Sequence, residues 1–341
     1  MNNSLDNFLT TIGASQSDDH HCQFSHQATV SAADNFISPL SHYGLLAING
    51  PDAAKFLQGQ TTCDLKQVNE ENNRAGACCT VKGRLYSSFL IAQLASEQYR
   101  LRLRRDIAED TQQRLAKYIV FSKAKQENLS NSHLIIGLKG AQAEANIKLL
   151  FGGCPTQTHT HLVVDHIIIS CIGHQSFECW LTISDAEQHW HTLANGLSQV
   201  GSKTWELLTI QQGSAEITAL TQDLFIPQML NYQVTGAVSF TKGCYTGQEI
   251  VARMQYKGKL KRRLYRVSFS SDQPVQAGDE ITAGENKSIG NLVNIVHCDN
   301  QHHEALAVLT SDLIDKKSLS LTKNQVNLEV LSLPYAINIE D

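Results

Sequence analysis

A chain of 341 residues is about twice the roughly 150 typical of one domain, so two or three domains are expected. A 42% hydrophobic and 18% charged composition excludes a largely disordered chain. The balance of 28 Lys and Arg against 33 Asp and Glu, net −5, excludes a globally basic nucleic-acid binder. Nine cysteines, an odd count with no C-x-x-C pair, exclude a disulfide framework or zinc ribbon.

The first 33 residues read as a polar tail with no signal-peptide pattern. His20, His21, Cys22 and His26 are metal-capable, but further ligands would have to come from far away, so no metal site is expected. Apolar stretches such as 134–138 and 167–169 fall far short of the roughly 20 residues of a membrane helix. A cytoplasmic location with reduced thiols follows as an expectation.

Two segments then resemble each other. Leu45-Leu46-Ala47-Ile48-Asn49-Gly50-Pro51 and Leu134-Ile135-Ile136-Gly137-Leu138-Lys139-Gly140 each predict a strand and a glycine turn, followed by an Ala-rich helix. Two related α+β halves are implied. A helix is predicted over 106–121, with Asp106 as N-cap and Ile107, Thr111, Leu115, Tyr118 and Ile119 as its apolar stripe. Ser184-x-x-Glu187 has the capping-box pattern ahead of Trp190 and Leu193. Another helix is predicted through Trp205, Leu208 and Ile210 to Gly213. After about residue 261, short alternating strands such as Tyr265, Val267 and Phe269 predict a small β-barrel or sandwich.

The chemistry concentrates in Lys242-Gly243-Cys244-Tyr245-Thr246-Gly247-Gln248-Glu249. Thr246-x-x-Glu249 predicts a second capping box, starting a helix that carries Ile250, Val251, Arg253 and Met254. Cys244 then precedes a helix N-terminus with Lys242 nearby, and both features favour a thiolate. Gly243 and Gly247 permit positive φ or close backbone approach. A reactive thiol in a ligand-facing turn and a tight turn around a buried cysteine are equally compatible with the spacing.

This segment resembles the signature of the YgfZ family, folate-binding proteins related to the aminomethyltransferase (T-protein) of the glycine cleavage system. Phe225-Ile226-Pro227-Gln228-Met229-Leu230-Asn231 fits the family's upstream segment, and Tyr256-x-Gly258-x-x-Lys261-Arg262 its continuation. Phe56-Leu57-Gln58-Gly59-Gln60-Thr61-Thr62-Cys63-Asp64-Leu65 and Lys82-Gly83-Arg84 fit the superfamily's first helix and following turn. The resemblance covers roughly residues 40–309.

What it implies is an α+β, T-protein-like three-domain fold around a central folate channel, with a C-terminal β-barrel. The implied division is a tail at 1–33, a first domain at 34–130 plus about 215–255, a second at 131–214, and the barrel at 256–341. The implied ligand is tetrahydrofolate or a derivative, with Gln211, Asn231, Lys82 and Arg84 as binding residues. The implied role is support of iron–sulfur enzyme assembly or repair, and through it tRNA methylthiolation, with Cys244 and Lys242 as the reactive pair. Gly243, Tyr245, Thr246, Gly247, Gln248, Glu249 and Arg253 complete the motif. Iron–sulfur proteins or their assembly factors, tRNA-modifying enzymes among them, are the implied partners. Direct tRNA contact stays open, and no membrane partner is expected. The alternative is a folate-dependent one-carbon transferase or demethylase on an unknown substrate.

Two departures from the superfamily matter. Ser87 and Ser88 occupy the place of an Asp pair that assists aminomethyl transfer, and a serine supplies no carboxylate. Glycine-cleavage activity is therefore not expected. Gln211 stands in Thr209-Ile210-Gln211-Gln212-Gly213 where the superfamily has a pterin-gripping Glu. Losing that charge-assisted bond is expected to lower folate affinity by about one to two powers of ten, or to change the preferred folate form.

Two basic clusters remain. Lys257, Lys259, Lys261, Arg262, Arg263 and Arg266 are expected as a solvated face, able to meet a folate tail, an RNA or an acidic protein. Arg100, Arg102 and Arg104 alternate along a strand and form a second patch with Arg105. Cys63, Cys78, Cys79, Cys154, Cys171, Cys179 and Cys298 are expected as packing groups.

Overall fold

The computed structural model describes residues 4–25, 34–284, 287–299, 301–314 and 318–337. The chain forms two compact units. The first comprises Met1–Gln58, Asp64–Ala75 and Phe89–Trp205, and the second Gly59–Cys63, Gly76–Ser88 and Glu206–Asp341.

In the first unit both expected strand–turn–helix units are present. Tyr43–Asn49 leads through Gly50 into the helix Ala53–Gln60, and His133–Lys139 through Gly140 into Ala141–Phe151. Both strands are apolar almost throughout and almost wholly buried, as central strands covered on both faces require. His133–Lys139 sits between Ser176–Thr182 and Phe36–Pro39 in a six-stranded sheet. Tyr43–Asn49 pairs antiparallel with Gln98–Arg104 on one side and Lys125–Asn128 on the other, and Lys125–Asn128 ends its five-stranded sheet.

The arginines of Gln98–Arg104 do not form a surface patch. Arg102 and Arg104 are buried, and Arg100 donates to Asn49 Oδ1 at 2.8 Å. Arg102 Nε donates to Glu178 Oε2 at 3.2 Å, and its guanidinium lies 4.1 Å from the centroid of the Tyr43 ring. Trp180 Nε1 donates to the same Glu178 oxygen at 2.9 Å. The alternation placed these side chains on one strand face correctly, but that face looks inward, and a buried acid on Ser176–Thr182 compensates it.

The opening segment is ordered, contrary to the expected polar tail. Ser4–Thr11 is a helix, and Ala14–Gln16 pairs with Cys22–Phe24. Leu5, Phe8 and Leu9 follow the i, i+3, i+4 spacing of a helix face, and they sit in the core of the first unit. The Phe8 ring meets Trp190 edge-on at 5.6 Å. Three apolar residues among polar neighbours thus outweigh average composition. His26 lies outside the described residues, and among those described no metal-binding cluster of His, Cys, Asp and Glu occurs.

Helix starts also differ from the sequence patterns. The helix over Ala108–Ile119 is capped by Ile107 without a side-chain bond, because a 3-10 turn at Arg105–Ile107 takes up Asp106. The capping box of Ile183–Leu193 uses Thr182 and Asp185, two residues earlier than Ser184 and Glu187. The helix around Trp205 spans Ser202–Gln211, as expected.

The second unit ends in a closed six-stranded barrel. Its order is Arg262–Ser270, His302–Thr310, Lys287–Asp299, Glu280–Ala283, Leu319–Leu321 and Asn327–Leu331, the last closing on the first. Val267, Phe269, Ile281, Leu292, Ala307 and Leu309 fill it. Closure leaves no free edge, which suits a small barrel with short strands. Because Arg262–Ser270 is a strand, the expected basic face is split: Arg263 is buried while Lys259 and Lys261 are exposed. Arg266 pairs with Glu304 at 2.6 Å.

A candidate thiol turn in the second unit

Three pieces of the second unit meet at the motif: residues 59–63, the hairpin turn around 80–84, and the loop 239–247 with the helix Gln248–Lys257. Residues 59–63 and 76–79 are neighbours because Thr61 bridges Cys78 and Thr62 N donates to Ala77 O at 2.8 Å. Thr62 Oγ1 ties the floor together. It accepts from Ala77 N at 2.9 Å and donates to Ala237 O at 2.6 Å.

Lys242 is only 7% exposed. Its Nζ donates to Thr61 O and Cys63 O, each at 2.7 Å, and lies 5.1 Å from the Tyr245 ring centroid. The ammonium is thus a structural pin into residues 61–63. Cys244, two residues on, is exposed. Against the expectation that Lys242 serves the thiol, the loop turns between the two residues, so that Lys242 enters the floor while Cys244 faces solvent.

The helix start differs as well. Gly247, not Thr246, is the N-cap, and no side chain caps the helix. Thr246 is instead fixed by its N–H to Gly59 O at 3.1 Å and by its hydroxyl at 3.3 Å from Gln60 Oε1. Gln248 folds back so that its Oε1 accepts from Tyr245 N at 3.3 Å. Gly247 has φ +84, and a Cβ there would stand 2.4 Å from Thr80 O and 3.0 Å from Cys79 Cβ. Gly243 has open space, so only the second motif glycine is demanded by geometry. Tyr245 is buried, which pushes its phenol upward, and its hydroxyl has no hydrogen-bond partner among the described residues. Glu249 and Arg253 are exposed on the helix.

The buried thiols beneath contrast with Cys244. Burial pushes Cys78 up to about 12 and raises Cys79 further. Cys63 packs its sulfur 3.8 Å from Thr61 Oγ1.

The residues expected to bind a folate lie at several places in the second unit. Lys82 and Arg84 are exposed, and Arg84 donates to Leu224 O. Asn231 is fully buried at φ +58, with its amide bonded to Leu264 O at 3.1 Å and Leu264 N at 3.3 Å. That amide joins the segment before the motif to the first barrel strand. Gln211 Nε2 donates to Glu304 Oε1 at 3.3 Å, and Glu304 Oε2 accepts from Arg266. Ser87 and Ser88 are both buried, and Ser88 Oγ accepts from Ile217 N at 2.8 Å. Thr61, Thr62 and Glu304 are parts of these arrangements that the sequence did not single out. Thr61 and Thr62 lay within a quoted segment, but nothing local ties them to a lysine 180 positions away.

The fold defines a class. It superimposes on the glycine cleavage system aminomethyltransferase T from Bartonella henselae with a TM-score of 0.78 at 18% identity, covering 97% of this chain and 96% of that one. Residues 16–234 match the GCVT N-terminal domain. Relatives named tRNA-modifying protein YgfZ are 31% identical in Colwellia psychrerythraea, over 90% of this chain and 95% of the relative. In Yersinia pestis the figures are 30%, 93% and 98%. The chain belongs to the YgfZ family.

Proposed function

We propose that this protein is a folate-binding accessory factor that supports tRNA modification by maintaining iron–sulfur enzymes, with Cys244 as its working thiol. The observation that carries the reading is the exposed Cys244 on a turn held rigid from below by Lys242 and Gly247. A thiol meant only for packing would be buried, as Cys78 and Cys79 are. The names of the relatives supply the link to tRNA modification.

The donor chemistry suits a reduced folate in a modified way. A pterin presents paired N–H donors, which a carboxylate receives better than a carboxamide. Residue 211 is a glutamine, but the Glu304 carboxylate stands 3.3 Å from it. Gln211, Glu304 and Arg266 would hold the pterin end, and exposed Lys82 and Arg84 would attract a folate's glutamate carboxylates. A bound reduced folate would supply one-carbon carrying capacity. Glycine-cleavage chemistry has no support here, because Ser87 and Ser88 bring only buried hydroxyls.

The decisive experiment is complementation in cells lacking the native protein. Cys244→Ala should fail to restore methylthiolated tRNA and iron–sulfur enzyme activity. Full restoration would remove the thiol from the account. Calorimetry with tetrahydrofolate tests the ligand, and absence of saturable heat would remove folate.

A further inference from the structure

We propose that the free edge of the five-stranded sheet, the strand Lys125–Asn128, is a self-association surface that pairs with the same strand of a second copy of this chain. The sheet order ends at this strand, and no other strand of the described residues lies on its outer side. Its polarity can be worked out. Leu129 N donates to Leu45 O at 2.8 Å, and Gly50 N donates to Glu97 O on the opposite side of Tyr43–Asn49 at 2.9 Å. Alternation in an antiparallel ladder then turns the main-chain groups of Lys125 and Glu127 toward Tyr43–Asn49. Those of Gln126 and Asn128, with Ala124 before them, point outward.

A short edge strand bearing a lysine usually resists self-pairing, because a twofold axis brings like charges together. Here the spacing reverses that effect. An antiparallel register centred on Gln126 makes the two Gln126 residues a hydrogen-bonded pair. It sets Lys125 opposite Glu127 of the second copy and Glu127 opposite its Lys125. Both side chains are exposed and lie on the same face, where Glu127 also faces Arg100 across Ala47 and acts on it electrostatically. Gln126 is kept to the other face, where its Nε2 donates to Gln112 O at 2.9 Å. The contact is isologous and therefore closes at two copies.

Two further features lie at this edge. A groove of about 680 Å³ runs along it, lined by residues 122–127 with Asn49, Gly50 and Pro51. The approach to the strand carries Val120 and Phe121, exposed to 71% and 89%. Large apolar side chains this exposed beside an open strand supply area that five paired residues alone would lack. Because the ladder is short, the association is weak and electrostatically supported.

Sedimentation velocity on the full chain, from low micromolar to near-millimolar, tests the proposal. The expected result is a concentration-dependent dimer that weakens as salt is raised. Lys125→Glu creates two like-charge pairs and should raise the dimer Kd about tenfold or more. The double variant Lys125→Glu/Glu127→Lys restores opposite pairing and should return the Kd toward that of the parent. Both positions are exposed, so thermal unfolding should confirm an intact fold. A monomer at every concentration, a dimer indifferent to Lys125→Glu, or a double variant as weak as the single would each overturn the proposal.

Discussion

Lys242 and Cys244 are two residues apart and play opposite parts. The Lys242 ammonium satisfies two buried carbonyls, Thr61 O and Cys63 O. Replacing it with methionine keeps most of the volume but removes the charged donor from both carbonyls, although Thr61 Oγ1 still reaches Cys63 O at 3.5 Å. A bond to a charged group contributes about 1.5–3 kcal/mol, and two such bonds are lost. Lys242→Met should therefore lower unfolding free energy by about 2–4 kcal/mol in a urea titration. Cys244→Ala removes an exposed sulfur and should stay within about 0.5 kcal/mol of the parent. A Lys242→Met variant as stable as the parent would mean that the ammonium serves the thiol rather than the floor. The comparison also guards the complementation test, since loss of function in Cys244→Ala cannot then be ascribed to unfolding.

At the scale of elements, the join between the motif loop and its helix depends on one glycine. Gly247→Ala must place a Cβ against Thr80 O at positive φ, with backbone on both sides of the clash. A destabilisation of about 3 kcal/mol is expected from strain and displacement together. Gly243→Ala meets open space and should change stability by less than about 0.5 kcal/mol. Thermal denaturation of the two variants side by side checks this, and equal losses would contradict the structure. The elements themselves were largely legible beforehand. Uninterrupted apolar runs ending in glycine, at Tyr43–Asn49 and His133–Lys139, identify central strands and their following helices. Alternation after residue 261 identifies the strands of a barrel or sandwich, and their pairing closes them into a barrel. The motif, too, was legible as a turn ahead of a helix. What sequence could not convey is which way a side chain points once elements pack. Lys242 faces down because residues 61–63 supply carbonyls, and the Arg102 face is inward because Glu178 waits there. Both partners are distant in sequence, so no local pattern encodes them. The caps at Thr182 and Gly247 slipped for a related reason: several neighbouring residues can cap, and tertiary bonds choose among them.

Across the whole molecule, burial sets how its titratable groups respond to acid and to reagents. His42 is buried, stacked on His21 at 5.0 Å and beside Tyr43, and neither ring nitrogen has a hydrogen-bond partner. Burial first, then Arg104, His21 and Arg102, holds its pKa well below 6.5. The folded state thus keeps His42 neutral while the unfolded chain protonates near 6.5, so the unfolded state binds the extra proton. Its contribution to stability is complete above pH 6.5, and it is lost progressively as pH falls below that value toward the depressed folded pKa. Unfolding titrations from pH 7.5 to 5 should show that decline, and His42→Phe should lessen it, the remainder coming from other histidines that burial also holds low, such as His133 and His159. The thiols obey the same logic with the opposite charge. Burial raises Cys22, Cys78 and Cys154 to about 12, and raises Cys79, Cys171 and Cys179 as well. At neutral pH these groups are thiols, all but the half-buried Cys154 shielded from solvent, and the thiolate is the species that reacts. Cys244 is the exposed cysteine among the described residues. Iodoacetamide on the native protein should therefore label Cys244 in a fast phase, read by mass spectrometry of peptides, with the buried sites modified only after unfolding. Cys244→Ser should lose that phase while its label count in denaturant falls by one alone. Fast native labelling of Cys78 or Cys79 would mean that the motif turn opens in solution, and the rigid platform proposed for the working thiol would have to be abandoned.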